Sequence, residues 1–328
     1  HKIDIVIGTH ALIQKDIEFN SLGLVVVDEQ HRFGVNQRNL LIQKGINPHL
    51  LSMTATPIPR TLAITYHGDM DLSVIDEIPK NRIPVVTKMV DEKRLNKVYS
   101  FIIDEVKAGK QCMIVHPLIE ESEKSDLLAA IDMYDTLSTT VFKELNVGLL
   151  HGRQDKLQKE KIMHDFSKNK INILLSTTVI EVGIDVPNAT VMLIENAERF
   201  GLTQLHQLRG RVGRGSKKSY CILVQRKITE QSKKRLEIME STNDGFKISD
   251  EDLKMRGPGE FFGIKQSGFF NFKIADLLLD GDMVKDARTA AEKILNNNLD
   301  ALRHSHQNIY NELLRLYKDR LGQLLPKG

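Results

Sequence analysis

Short runs of apolar residues alternate with longer segments in which apolar residues recur every three or four positions. Such short runs are typical of strands buried in a parallel sheet. They predict strands at 3–7, 22–27, 50–53, 112–115, 147–150, 171–175, 191–194 and 220–224. Apolar residues at helical spacing lie between the later strands: Leu127, Leu128, Ile131, Tyr134, Leu137, Val141, Phe142 and Leu145, and then Leu157, Met163 and Phe166. This alternation predicts an α/β fold whose parallel sheet is covered on both faces.

Changes in the pattern along the chain predict three regions. Residues 1–80 carry the first strands and end in a proline-marked segment, which is typical of part of an α/β domain. Residues 81–226 carry the remaining strands in alternation with helices and predict a complete domain of the same class. Residues 227–328 contain no strand-like runs, and predict a helix near 229–241, a glycine-rich loop at 257–268 and further helices. The last helix has one apolar face, formed by Ile309, Leu313, Leu316, Tyr317 and Leu321.

Composition and charge exclude some classes of function. The chain has 46 basic and 43 acidic residues, and the net charge of +3 is too small to indicate nucleic-acid binding by itself. A local basic cluster is present at Arg209, Arg211, Arg214, Lys217 and Lys218. Cys112 and Cys221 both lie in apolar runs, which favours core thiols and a reducing compartment. No apolar run approaches the roughly 20 residues of a membrane-spanning helix, so no membrane partner is expected.

Two adjacent carboxylates follow the second predicted strand. Asp28 and Glu29 come directly after the apolar run Leu24–Val27, and so are expected at the carboxyl edge of a sheet, where open α/β folds bind ligands. One carboxylate there could hold Mg²⁺ while its neighbour orients an attacking water, which are the roles that phosphoanhydride hydrolysis requires. An acidic turn without catalytic function is the alternative interpretation.

Further motifs follow in a defined order. A second strand leads into hydroxyl residues at 52–56, a later one leads through Thr177 into 181–185, and a glycine- and arginine-rich segment occupies 207–215. Together with residues 28–31, these segments resemble motifs II, III, V and VI of the superfamily-two helicases, the motor ATPases of DNA and RNA. The resemblance implies RecA-like parallel sheets, with a partial first motor domain, a complete second one and a helical C-terminal region.

Longer stretches narrow the resemblance. Residues 28–38, 54–63, 116–122 and 244–268 resemble the RecG family, bacterial translocases that use ATP and Mg²⁺ to remodel branched double-stranded DNA such as replication forks and Holliday junctions. The resemblance implies a monomeric motor in the bacterial cytoplasm, associated with the nucleoid, that drives branch migration and fork reversal in repair and recombination. It also implies a contact with single-strand-binding protein in the full-length parent.

The resemblance also implies roles in ATP hydrolysis. Asp28 would hold Mg²⁺ through water, and Glu29 would orient the attacking water. Arg211 and Arg214 would act as arginine fingers on the transferred phosphoryl group, because a guanidinium fork matches its developing charge. A solvated turn is the alternative for such arginines. The remaining positions of the nucleotide site would be Gly183, Asp185 and Gln207.

Roles on DNA follow in the same way. Thr9, Thr54 and Thr177 would offer hydroxyl groups to backbone phosphates, although threonines at strand ends are often only turn residues. His31 would couple the nucleotide and DNA sites. Arg235, Arg256 and Gln266 lie in the segment that resembles the helical hairpin and loop of RecG. There they would convert closure of the motor domains into movement on duplex DNA.

A phosphate-binding loop of the form Gly-x-x-x-x-Gly-Lys-Ser/Thr is absent from the sequence. The segment Gly210 to Gly215 has the glycine spacing, but Ser216 occupies the lysine position. We therefore interpret the chain as a C-terminal fragment that lacks the wedge domain and the phosphate loop of its parent, and expect no ATPase activity from the fragment alone. The alternatives are a transcription-repair coupling translocase of the Mfd type and a non-enzymatic module that binds DNA or a partner.

Overall fold

The computed structural model describes residues 3–30, 33–55, 70–79, 82–117, 123–181, 186–257, 280–295 and 304–317. The chain divides into two compact units, one formed by His1–Pro57 with Lys80–Ser249 and the other by Ile58–Pro79 with Asp250–Gly328. The domain boundaries placed after residues 80 and 226 stay predictions.

A small parallel sheet forms the first part of the larger unit. Strands β1 (Leu24–Val27) and β2 (His49–Ser52) pair in parallel and are connected through helix α1 (Val35–Ile42). Val25 and Val27 are buried, whereas Leu24 and Val26 are about half exposed, so only one face of β1 is covered in the described residues.

The strand predicted at 3–7 is wrong. This segment has no regular structure, and Ile3, Ile5 and Ile7 are 70%, 79% and 93% exposed. A strand needs a neighbour to satisfy its backbone hydrogen bonds, and no strand pairs with this segment in the part of the chain that the structure describes. The apolar composition of this segment was therefore not enough to make it a strand.

The second sheet of the larger unit has six parallel strands in the order β3-β8-β7-β4-β6-β5. In chain order they are β3 (Val86–Asp91), β4 (Gln111–Val115), β5 (Val147–Leu150), β6 (Ile173–Ser176), β7 (Ala189–Ile194) and β8 (Tyr220–Gln225). Every residue of β4, β6 and β7 is buried, as expected of strands covered on both faces. This confirms the predicted parallel α/β architecture.

Five helices connect or follow these strands: α2 (Leu95–Lys107), α3 (Glu123–Thr139), α4 (Lys156–Ser167), α5 (Leu202–Arg209) and α6 (Glu230–Ser241). The start of α6 is fixed by Thr229, whose Oγ1 accepts a hydrogen bond from the Ser232 N–H at 3.1 Å, while the Ser232 hydroxyl accepts one from the Thr229 N–H. The helix predicted near 229–241 is therefore confirmed.

Two details differ from the sequence prediction. Strand β3 was missed, because it is an edge strand that mixes polar with apolar residues and has no continuous apolar run. Helix α3 ends at Thr139, so Val141, Phe142 and Leu145 lie beyond it, where they still belong to the hydrophobic core. Apolar spacing alone did not reveal where that helix ends.

The C-terminal region is helical in its described parts, as predicted. It contains α7 (Gly245–Arg256), α8 (Gly281–Leu295) and α9 (Gln307–Tyr317). On α8, Arg288 bonds the Met70 carbonyl at 3.0 Å and pairs with Glu292 at 2.8 Å. The glycine-rich loop predicted at 257–268 lies outside the described residues beyond Gly257. Among the described residues no helix combines the length and the apolar character that crossing a membrane requires.

Candidate active site

The turn after β1 carries the two carboxylates. Asp28 is exposed, and its Oδ1 accepts a hydrogen bond from the Glu29 N–H at 2.9 Å. Glu29 has a φ of +49°, in the left-handed region that non-glycine residues seldom occupy, and its Oε2 is shielded from solvent. Backbone strain of this kind is often found at functional sites.

The same turn is bonded to the end of β2. The Gln30 N–H donates to the Met53 carbonyl at 3.0 Å, and the Met53 N–H donates to the Val27 carbonyl at 2.8 Å. Thr54 follows Met53 and is half-buried at this edge. The carboxylates thus lie at the carboxyl edge of the small sheet, as the sequence predicted, and the end of β2 with Thr54 lies beside them.

The residues around Asp28 fit Mg²⁺. Magnesium prefers oxygen ligands and is commonly held by one or two carboxylates together with substrate phosphates. Asp28 supplies an exposed carboxylate next to a second one. Among the described residues no cluster of three or more acidic, histidine or cysteine side chains exists, so a dedicated all-protein metal cage is absent there.

Thr9 is exposed and precedes a short 3-10 helix, His10–Ile13. The His10 ring stacks on Phe33 at 4.2 Å between centroids, which ties this segment to the region just after the carboxylates. His31 itself lies outside the described residues.

Thr177 is fully buried at the end of β6. Its N–H donates to the Leu150 carbonyl at 3.2 Å, and its Oγ1 has no hydrogen-bond partner among the described residues. A DNA phosphate cannot reach this hydroxyl unless the covering residues move, so its role on DNA stays a prediction. Gly183 and Asp185 lie outside the described residues.

The glycine- and arginine-rich segment follows α5. Gln207 and Arg211 are half-buried, and Arg214 is exposed, with its Nε donating to the Gly210 carbonyl at 3.2 Å. Gly213 has a φ of +74°, and a Cβ there would lie 2.6 Å from Val85. Only glycine therefore allows this loop to approach the segment that precedes β3. The position of the loop in turn sets the backbone positions of Arg211 and Arg214.

Arg209 differs from the rest of the basic cluster. It is 3% exposed, and its Nη1 donates to the Met239 and Thr242 carbonyls at 2.9 and 2.8 Å. These are carbonyls at the C-terminal end of α6, where the helix dipole favours a cation. Within the described structure no carboxylate pairs with this guanidinium. Arg209 is therefore an internal anchor between α5 and α6, and does not contribute to a DNA-binding surface.

His206 completes this anchor. Its Nδ1 lies 3.1 Å from Nη2 of Arg209. Burial, reinforced by the charges of Arg209 and Arg82, lowers the pKa of His206 to about 4. The ring is therefore neutral at pH 7, and Nδ1 accepts the hydrogen bond from the arginine.

A second link holds the middle of α6. Nη2 of Arg235 donates to the Glu198 carbonyl at 2.8 Å, and the Glu198 carboxylate accepts hydrogen bonds from the N–H groups of Arg226 and Lys227 at 3.3 and 3.1 Å. Helix α5 begins just after Glu198 and ends at Arg209. The two links therefore bond α6 to the last residue of α5 and to the 3-10 turn that precedes α5.

A buried carboxylate was missed by the sequence analysis. Glu195 follows β7 and is fully buried, with Oε2 at 3.1 Å from Nη2 of Arg226, which also pairs with Glu92. Burial raises the pKa of Glu195, although the charge of Arg226 opposes this. The signal was present, because Glu195 follows an apolar strand just as Asp28 does.

Arg256 ends α7. Its Nε pairs with the buried carboxylate of Asp252 at 3.0 Å, while 43% of its side chain remains exposed. Gln266, the other residue assigned to the coupling loop, lies outside the described residues.

Three family models match the chain. They are the helicase conserved C-terminal domain over residues 93–216, domain 3 (C-terminal) of the ATP-dependent DNA helicase RecG over 242–322, and the DEAD/DEAH box helicase over 1–65. Together they match the small sheet, strands β4 to β7 of the second sheet and the helical C-terminal region.

Individual proteins agree with these models. ATP-dependent DNA helicase RecG of Thermotoga maritima has 54% sequence identity to this chain over 89% of the chain's length. The RecG of Bacillus subtilis has 53% identity over 90% of it. The chain spans only 38% and 43% of the lengths of these relatives. A solved structure of RecG bound to a three-way DNA junction has a TM-score of 0.67 and 50% identity, over 87% of this chain and 36% of that one.

A more distant similarity concerns the fold alone. Dbp5 of S. cerevisiae, bound to RNA and ADP BeF3, has a TM-score of 0.51 at 13% identity, over 86% of this chain and 66% of that one.

Proposed function

The chain belongs to the RecG family of ATP-dependent DNA helicases, and we propose that it forms the motor part of an enzyme that moves on branched DNA by hydrolysing ATP. The observation that supports this most directly is the 207–214 segment. It presents Arg211 and Arg214 from a loop whose base is bonded to α6 through Arg209. The match to RecG domain 3 over 242–322 favours this function over that of a transcription-repair coupling translocase.

Hydrolysis needs a positioned water and stabilised phosphate charge. Glu29, held by its strained backbone, would orient the water, and Asp28 would hold Mg²⁺. The metal would supply charge neutralisation on the phosphates. Arg211 and Arg214 would stabilise the charge that develops on the transferred phosphoryl group, and Gln207, Gly183 and Asp185 would complete the nucleotide site.

Coupling to DNA would pass through α6. Because Arg209 bonds the end of α5 to α6 and Arg235 bonds α6 to the turn before α5, a shift of Arg211 and Arg214 on ATP binding would carry α6 along. Arg256 and Gln266 would then convert this displacement into movement along the duplex. Thr9, Thr54 and Thr177 would hold backbone phosphates, and His31 would connect the two sites.

The proposal extends to the biological setting. The relatives named above are bacterial, and the solved RecG is bound to a three-way DNA junction. We therefore propose forks and Holliday junctions as substrates, with branch migration and fork reversal as the outcome. The enzyme would work as a monomer at the bacterial nucleoid and would contact single-strand-binding protein.

The test uses the full-length protein and a synthetic fork. Glu29→Gln should bind ATP but lose most DNA-stimulated hydrolysis, and Arg214→Ala should lower turnover on the order of 10³-fold while changing DNA affinity little. Lys93→Ala, an exposed cation outside these motifs, serves as the matched control and should behave as wild type. Normal turnover in Arg214→Ala would show that the segment is a DNA-binding patch and not part of the nucleotide site.

A further inference from the structure

The loop that carries Arg211 and Arg214 is bonded to a side chain from a distant part of the sequence. Nε of Arg82 donates a hydrogen bond to the Gly213 carbonyl at 3.2 Å, across a separation of 131 residues. Gly213 lies between the two arginines in sequence. Its carbonyl therefore belongs to the backbone that determines where both arginine side chains start.

The backbone next to Arg82 packs tightly against the same loop. Val85 is 8% exposed, and a Cβ at Gly213 would lie 2.6 Å from its Cγ2. The residue after Val85 donates its N–H to the Ser219 carbonyl at 2.9 Å, where the pairing of β3 with β8 begins. This segment is therefore held by the sheet at its C-terminal end, and the Arg82 side chain extends towards the loop from a backbone that is itself held in place.

The loop is also held on the far side of Arg214. A Cβ at Gly215 would lie 3.1 Å from the Pro187 carbonyl oxygen. The absence of a side chain at Gly215 therefore lets the two backbone segments come into contact. With Arg82 bonded at Gly213, the backbone is held on both sides of Arg214.

The charge of Arg82 acts on the helix that leads into the loop. Burial and the charge of Arg209 lower the pKa of His206 most, the charge of Arg82 lowers it further, and Asp244 opposes these effects. The His206 ring in α5 therefore reports whether the Arg82 guanidinium lies beside the loop.

We propose that Arg82 is a positioning residue for ATP hydrolysis, which holds the backbone at Gly213 so that Arg211 and Arg214 reach the transferred phosphoryl group. The positioning role rests on the proposed function of those two arginines. A guanidinium stabilises the phosphoryl group only within hydrogen-bond distance, and a displacement of about 1 Å can cost on the order of 10²-fold in rate. A hydrogen bond to the backbone between the two arginines therefore affects hydrolysis without contacting the nucleotide.

The first experiment measures DNA-stimulated hydrolysis by the full-length protein on a synthetic fork. Arg82→Ala should lower kcat at least about tenfold, while KM for ATP and the affinity for the fork change less than about twofold. Arg82→Lys should recover most of the rate, because an ammonium can donate the single hydrogen bond that the Gly213 carbonyl accepts. A third arginine finger would not be rescued in this way, since lysine lacks the fork that binds a phosphoryl group. The matched control is Arg94→Ala, which removes another exposed arginine and should hydrolyse ATP as wild type does.

The second experiment needs no nucleotide and uses this chain alone. The pKa of His206 is measured by NMR on the protein with isotope-labelled histidine, and its signal is assigned by its loss in His206→Gln. Arg82→Ala should raise the pKa of His206, because a neighbouring positive charge is removed. Arg94→Ala should leave the pKa of His206 unchanged.

The proposal is overturned if Arg82→Ala hydrolyses ATP at the wild-type rate while Arg214→Ala does not. It is also overturned if KM for ATP rises as kcat falls and Arg82→Lys is as slow as Arg82→Ala, because Arg82 would then contact the nucleotide itself. An unchanged pKa of His206 in Arg82→Ala would show that the guanidinium does not lie beside the loop in solution. Normal hydrolysis in Arg214→Ala would instead refute the proposed function of the loop, and the positioning role would fall with it.

Discussion

Replacing Arg209 by methionine tests the anchor between α5 and α6. The substitution approximately keeps the volume and removes the charge-assisted hydrogen bonds of the guanidinium to the Met239 and Thr242 carbonyls and to Nδ1 of His206. Hydrogen bonds to charged groups are worth about 1.5–3 kcal/mol each. Part of this is regained, because a buried charge no longer has to be desolvated. We expect Arg209→Met to lower the free energy of unfolding by about 2–4 kcal/mol, and Arg209→Lys to lie in between, since an ammonium lacks the planar fork.

The assay combines urea unfolding, followed by far-UV circular dichroism, with hydrogen exchange of the α6 amides. The last turn of α6 loses the cation that holds its carbonyls, so exchange there should accelerate roughly 30- to 1000-fold, in line with the lost free energy. Arg214→Met is the matched control, because it removes an exposed arginine from the same segment, and should change stability by less than about 0.5 kcal/mol.

The anchor interpretation fails if Arg209→Met and Arg214→Met unfold at the same urea concentration. It also fails if the stability loss is large but exchange in α6 is unchanged, because the energy would then come from contacts elsewhere. A lower free energy of unfolding together with faster exchange in the last turn of α6 is the result that the geometry requires.

Three further predictions concern single residues. The pKa of His206 is lowered to about 4 in the folded protein, so its contribution is present above pH 6.5 and is lost as the pH falls towards 4. We expect unfolding free energy to drop by about 3 kcal/mol over that range in wild type, and the slope to flatten in His206→Gln when urea unfolding is repeated at each pH. Gly213→Ala should destabilise the chain by about 2–3 kcal/mol, whereas Gly109→Ala, which also has a positive φ but open space around it, should cost about 1 kcal/mol in the same assay. In the full-length protein, Arg256→Ala should keep substantial DNA-dependent ATPase and lose fork unwinding; a ratio of ATP consumed to base pairs displaced that matches wild type and the neighbouring Lys254→Ala would refute its coupling role.

Much of the second sheet could be predicted from the sequence, because its central strands are buried on both faces and leave continuous apolar runs. Edge elements could not: β3 mixes polar and apolar residues without alternation or a continuous apolar run, and the segment at 3–7 is apolar but has no paired neighbour in the described residues. For such segments the outcome depends on which strands lie beside them, and one-dimensional patterns do not contain that information.

The candidate site shows a similar division. Order and spacing of residue types indicated the carboxylates and the arginine segment, but not which arginine points inward. The signal was present in the phase of α5: Leu202, Leu205 and Arg209 follow helical spacing, and all three are buried. The burial of Arg209 was not predicted, because arginines in a basic cluster are usually assumed to face solvent. Glu195 was missed for a related reason, since its partner Arg226 follows a different strand and is distant in sequence.

The backbone of Glu29 has a consequence for how this protein can evolve. A side chain at φ +49° costs about 1–2 kcal/mol relative to a residue that tolerates this conformation. Glycine or asparagine at position 29 would therefore relax the turn, yet either would remove the carboxylate. Selection for thermal endurance alone would favour such replacements, and selection for turnover would oppose them. A glutamate at this turn is therefore the residue expected where selection for turnover outweighs selection for stability.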